Sequence, residues 1–87
     1  MTRNVLVQPN PYNDYFELTF LLQNESDILI DICDARGVKV FEYTQAALPA
    51  GEHTLFFEDS EFISQGMYFG RLHVKGKRDL TFKIIRM

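Results

Sequence analysis

Apolar residues along this chain recur at every second position. Phe16, Leu18, Phe20 and Leu22 alternate with Tyr15, Glu17, Thr19 and Leu21, and Ile28, Ile30 and Ile32 alternate with Leu29, Asp31 and Cys33. A period of two puts one set on a buried face and the other outward, which predicts half-buried strands over 15–22 and from Ile28 onward. A short β-prone run from Asn4 to Gln8 comes first. It is stopped by Pro9-Asn10-Pro11, whose prolines offer no ladder donors and mark an edge or crossing point.

The remaining elements are set by turn chemistry. Asp34-Ala35-Arg36-Gly37 has Asp and Gly at the first and fourth positions of a type I turn and predicts a hairpin. Its return strand, Val38 to Thr44, is expected to turn Val38 and Val40 inward. Pro49-Ala50-Gly51 breaks the chain before a strand over 52–58 with Leu55 and Phe57 inward. Asp59 to Gln65 reads as a loop, with Ile63 plugging the core beneath a turn on Gly66. The next strand places Tyr68, Gly70, Leu72 and Val74 on one face, Gly70 leaving room for a neighbour. A Tyr just inside a late strand of a small all-β domain predicts a tyrosine corner, its hydroxyl bonded to nearby backbone. Lys75-Gly76-Lys77 then turns into a last strand, 79–86, with Leu80, Phe82 and Ile84 inward.

Seven short strands without a helical period predict an all-β fold, an immunoglobulin-like antiparallel β-sandwich, with a closed barrel as the alternative. At 87 residues the chain is expected to form a single domain, 1–87. The alternation also sends Leu21, Leu29, Cys33, Phe41, Tyr43, Phe56, Met67, Phe69 and Ile85 outward. Several of these clustered on one sheet would mark a contact surface or a weak homodimer.

Charge divides the chain. Residues 1–70 hold three cations and eleven carboxylates, a net of −8, whereas residues 71–87 hold six cations and Asp79, a net of +5. The overall −3 and the small size of the basic patch argue against a nucleic-acid partner. Cys33 is the single cysteine, so no internal disulfide is available. No stretch approaches the ~18 apolar residues of a membrane-spanning helix, and no apolar segment comes after Met1-Thr2-Arg3-Asn4 as a signal peptide requires.

The side chains that carry chemistry do not assemble from the sequence. His53 and His73 lie on different strands, without partners at metal-ligand spacing. Cys33 sits among isoleucines with no basic group nearby to lower its thiol pKa. Hydroxyl residues lack a nucleophile-elbow context. Asn10, Asn13, Asp14 and Asp34 are explained by turn formation rather than calcium, and the other carboxylates are expected in turns or on outward faces. The expectation is a non-enzymatic domain with no cofactor or metal.

Several blocks together resemble a known family. Val7-Gln8-Pro9-Asn10-Pro11-Tyr12-Asn13-Asp14 with Phe16-Glu17-Leu18, the hairpin Ile30 to Val40, Ala50-Gly51-Glu52-His53, Ile63 to Leu72, and Lys83-Ile84-Ile85-Arg86 occur in the order found in type A C-terminal sorting domains of the type IX (Por) secretion system of Bacteroidetes. The chain departs from that pattern at Gln8 and Cys33, where tyrosines are usual, and at Met87 beyond the terminal basic residue. The resemblance marks Pro9, Asn10, Pro11, Gly37, Gly51, Gly66 and Tyr68 as motif residues of structural weight. It implies an address at the C-terminus of a secreted cargo, of which this chain is a fragment. The cargo passes the periplasm, the outer-membrane translocon recognises the domain, and a sortase-like peptidase removes it as the cargo reaches the cell surface or the medium.

Within that reading the basic end is expected to carry the address. Ile84 is fixed in the core, while Lys83, Ile85 and Arg86, joined by Arg71 if it projects to the same face, meet an acidic or carbonyl-rich receptor. The competing reading is a carbohydrate- or protein-binding module appended to a secreted enzyme, with Phe41, Tyr43, Phe56 and Phe69 as its aromatic candidates. A structural spacer is the third.

Overall fold

A computed structural model describes residues 5–9, 14–58 and 64–87. The expected plug at Ile63 and the motif residues Asn10 and Pro11 lie outside these. Seven strands run in chain order: β1 (Leu6–Gln8), β2 (Tyr15–Leu22), β3 (Ser26–Asp34), β4 (Lys39–Leu48), β5 (Gly51–Glu58), β6 (Gly66–Val74) and β7 (Leu80–Arg86). They form two antiparallel sheets, β1-β2-β5 and β4-β3-β6-β7. The chain changes sheet between β2 and β3, between β4 and β5, and again between β5 and β6. This is the immunoglobulin-like sandwich that the alternation predicts, with two open sheets in place of a closed barrel.

The core lies between the sheets. Phe16, Leu18, Phe20 and Leu22 of β2 meet Ile28, Ile30 and Ile32 of β3 and Tyr68, Leu72 and Val74 of β6, all buried. Leu48, Phe57, Phe82 and Ile84 complete it, with Leu55, Leu80 and Val40 packed partly buried at its margin. Gly70 lies buried opposite Phe82, and a Cβ there would collide with Cε2 and Cζ of that ring. The missing side chain lets the ring lie across β6.

The corner is formed as the sequence predicts. The Tyr68 hydroxyl donates to the Ser64 carbonyl at 2.7 Å and accepts from the Ser64 backbone N–H at 3.0 Å. Its ring stays in the core, so one side chain pins the approach to β6 while filling space between the sheets.

Strand β4 departs from expectation, and a bulge is the reason. The turn before it is well made. Gly37 donates to the Asp34 carbonyl at 2.9 Å, and the Asp34 carboxylate accepts from the backbone N–H groups of Arg36 and Val38 at 2.9 and 3.0 Å. Arg36 also pairs with this carboxylate at 2.9 Å, and its hydrogen bond, followed by that of Val38, lowers the Asp34 pKa below the ordinary value. Beyond the turn, however, Cys33 pairs with Lys39 and Ile32 pairs with Phe41. The extra residue, Val40, flips the parity of the strand beyond it, because a one-residue slip exchanges the two faces. Phe41 and Tyr43 therefore face the core beside Ile32 and Ile30. Their rings meet Phe57 edge-on, with centroids 5.6 and 5.8 Å away. Val38, expected inward, is 50% exposed.

A second shift lies between Ser26 and Ile28. There Ala47 takes a φ of 56° and donates its N–H to Asp27 Oδ1 at 2.9 Å. The shift carries β4 four residues past the expected end at Thr44 and buries Leu48.

Candidate docking face on strands β6 and β7

Register decides which side chains share a surface. Across β6 and β7, Met67 pairs with Ile85, Phe69 with Lys83, and Arg71 with Thr81. Directly opposed residues lie on one face of a sheet. These six therefore occupy the outward face, since their neighbours Tyr68, Gly70, Leu72, Phe82 and Ile84 turn inward. Arg71, Lys83 and Ile85 are thus brought together. Arg86 is not with them: it pairs with Gly66 and has the parity of Ile84 and Phe82, which puts it at the end of the strand on the core side, half-buried.

The basic segment does not form one continuous surface. Arg71 and Lys83 lie on the outward face, Lys75, Lys77 and Arg78 lie in the connection at the far end of the hairpin, and Arg86 lies at the near end. The sequence does not single out Met67 and Phe69 within the site, yet they supply its apolar part, 43% and 48% exposed. A shallow groove of about 610 Å³ runs along the hairpin, lined by Phe69, Arg71, Asp79, Thr81 and Lys83.

Carboxylates on this sheet are already engaged. Asp31, expected to be solvated, is buried and lies 2.9 Å from His73 Nε2, and Asp79 Oδ1 lies 2.9 Å from His73 Nδ1. Both ring nitrogens thus face a carboxylate. The hydrogen bond to Asp31, opposed by desolvation and assisted by Asp79, raises the His73 pKa above its ordinary value. Glu42 pairs with Lys39 at 2.8 Å. Arg71 sits opposite Asp31 in the β3–β6 ladder, is exposed, and forms no ion pair among the described residues. Arg71 and Lys83 thus stand beside exposed apolar side chains on β6 and β7, while Asp31 and Glu42 share the same sheet face on β3 and β4.

The two histidines do not converge. His53 lies on the other sheet, its Nε2 2.7 Å from the Pro49 carbonyl and its ring 5.8 Å from that of Phe20. Among the described residues no cluster of three or more His, Cys, Asp or Glu could hold a metal ion. Asp31 and Asp79 approach His73 from opposite nitrogens, so their oxygens point at the ring rather than at a common centre. Cys33 is a free thiol opposite Phe69 and Lys39. The four aromatic candidates for a binding platform are dispersed: Phe41 and Tyr43 face the core, Phe69 lies outside one sheet, and Phe56 lies outside the other.

Motif positions are largely conformational. Gly37, Gly51 and Gly66 have φ of 89°, 124° and 143°, a region that side chains rarely enter. Pro9 comes directly after the last residue of β1, across a cis peptide bond. Tyr68 makes the corner.

The family described as the secretion system C-terminal sorting domain matches residues 6–86, nearly the whole chain. The chain belongs to that family. It is a C-terminal sorting-signal domain of type IX secretion, whose members direct an upstream cargo through the secretion system to the cell surface or the medium. No match is found among curated proteins. This family consists of address signals, in keeping with a surface whose chemistry is charge and apolar contact. Among the described residues of this sorting domain, no helix is long and apolar enough to cross a membrane.

Proposed function

We propose that the outer-membrane translocon reads the outward face of β6 and β7, with Arg71 and Lys83 as charged contacts and Met67, Phe69 and Ile85 as the apolar ones. The observation that carries this reading is the β6–β7 register, which sets both cations and the three apolar side chains on one side of a rigid sheet. Exposed aromatic and Arg side chains on a fixed scaffold are the usual anchors of a protein interface. The rest of the sandwich holds the hairpin in shape. In this reading the cargo waits in the periplasm until the domain docks, after which a sortase-like peptidase severs the domain from it. The domain itself catalyses nothing.

The test fuses residues 1–87 to a reporter with a signal peptide, in a host that has the translocon. Arg71→Glu with Lys83→Glu should hold the reporter in the periplasm, while Glu52→Lys, on the exposed face of the opposite sheet, should leave export near the wild-type level. Export of the double variant at the wild-type level, with the domain still folded, overturns the assignment.

A further inference from the structure

A strand at the edge of a sheet leaves one row of backbone N–H and C=O groups unpaired, and proteins guard such rows with short strands, Pro, Lys or bulges. The two sheets have four edges, β1, β5, β4 and β7, and three of them are guarded. Strand β1 has three residues and runs into Pro9. Strand β7 carries Lys83 and Arg86 and has β1 beside it. Strand β4 is interrupted by two register shifts. Strand β5 is different. It pairs with β2 residue for residue from Gly51 to Glu58 and contains no Pro, Lys or Arg, and among the described residues no strand pairs with its other side.

The side chains of β5 define what an added strand must carry. Glu52, Thr54, Phe56 and Glu58 point outward, with Glu17 of β2 opposite Phe56, and among the described residues no Lys or Arg projects from this face. His53, Leu55 and Phe57 point toward the other sheet. Phe57 is buried there, but Leu55 is only partly buried, as are Phe41 and Tyr43 of β4, whose rings meet Phe57 from the other sheet. Strands β4 and β5 thus meet through side chains rather than through backbone pairing, and the core margin on this flank is incompletely covered.

We propose that β5 accepts an extended segment of a partner polypeptide as an additional strand, one in which cationic and apolar residues alternate. Backbone pairing supplies the attachment. The apolar side chains of the added strand cover Leu55 and the margin at Phe41 and Tyr43, and its Lys or Arg side chains stand beside Glu52 and Glu58. The two glutamates share a face and are spaced from 52 to 58, so the matching cations of the partner have the same spacing. The glutamates also select against a second copy, because β5 paired with β5 would join two acidic faces into one surface. The site lies on the opposite sheet from β6 and β7, and neither assignment rests on the other.

Hydrogen exchange read by NMR on the 87-residue chain tests it, with the synthetic peptide acetyl-Lys-Val-Lys-Val-Lys-Val-Lys-amide as the probe. Its first and last lysines have the spacing of Glu52 and Glu58. Successive residues of an antiparallel strand direct their N–H groups to alternate sides, so every second amide of β5 is open to a partner. The peptide should slow exchange at those alternate amides and leave β4 and β7 unchanged. A peptide of the same composition with lysines and valines segregated, and an alternating Glu-Val peptide, should give no such protection. Glu52→Lys with Glu58→Lys should reverse the preference, taking the Glu-Val peptide in place of the Lys-Val one. Circular dichroism establishes that this variant is folded, and if it does not fold, the three peptides on the wild-type chain still decide. Several results overturn the proposal: no protection of β5 at millimolar peptide, equal protection by the segregated peptide, protection at another edge instead, or alternate β5 amides already protected in the free chain by pairing between copies.

Discussion

Phe82 occupies the space that a side chain at position 70 would need. A Cβ on Gly70 would run into Cε2 and Cζ of the Phe82 ring, which is buried against β6. Gly70→Ala should therefore destabilise the domain by about 1–3 kcal/mol, the usual cost of overpacking. Phe82→Leu frees the same space, so the double variant should be more stable than the sum of the singles implies. Urea melts of the four proteins measure the coupling, and strict additivity would mean that the ring moves aside at no cost.

The corner tyrosine allows a cleaner deletion. Tyr68→Phe keeps the ring in the core and removes the hydroxyl bonded to both backbone groups of Ser64. The expected loss is about 1–2 kcal/mol. Hydrogen exchange should accelerate at Ser64, whose N–H loses its acceptor. Unchanged protection there would show that this bond does not hold the approach to β6.

Ile30 lies at the centre of the sandwich and is fully buried. Ile30→Ala should cost about 2–5 kcal/mol. Against a typical total of about 5–15 kcal/mol, this brings a small domain near its unfolding threshold. A thermal melt displaced by no more than that of an exposed substitution such as Thr54→Ala would contradict the packing described.

His73 gives stability a pH dependence with a definite sign. Its pKa is raised in the folded state, chiefly by Asp31, so folding favours the imidazolium form. The contribution is fully present below the unfolded value of 6.5 and is lost as pH rises through the higher folded value. Between about pH 6 and about pH 9 the wild type should lose more stability than His73→Gln. Denaturant midpoints of both proteins at the two pH values measure the difference, and parallel profiles would show that the carboxylates do not hold the ring.

Alternation alone was enough to read β2, β3, β6 and β7, because each keeps one parity from end to end and carries its own buried set. Gly70 and Tyr68 were legible for the same reason: a residue with no side chain and a residue with a polar tip stood in an otherwise apolar row. Strand β4 was not, since an extra residue at Val40 reverses the parity and no local feature announces it. The Asp31–His73–Asp79 cluster was hidden because it joins residues 42 and six positions apart through a register that only pairing reveals. The site was half legible. Charge pointed to Arg71, Lys83 and Arg86 alike, and the ladder then separated Arg86 from the other two while adding Met67 and Phe69.

The central claim is that the outward face of β6 and β7 is what the translocon touches, and site-specific photocrosslinking tests it most directly. A benzophenone amino acid is placed at Phe69 on that face and, as a control, at Thr54 on the opposite one, in the reporter fusion expressed in a host that has the translocon. Irradiation should join the domain to an outer-membrane protein from position 69, and Arg71→Glu with Lys83→Glu should abolish that product, while position 54 gives none. An outer-membrane crosslink from position 54, with none from position 69, would contradict the account.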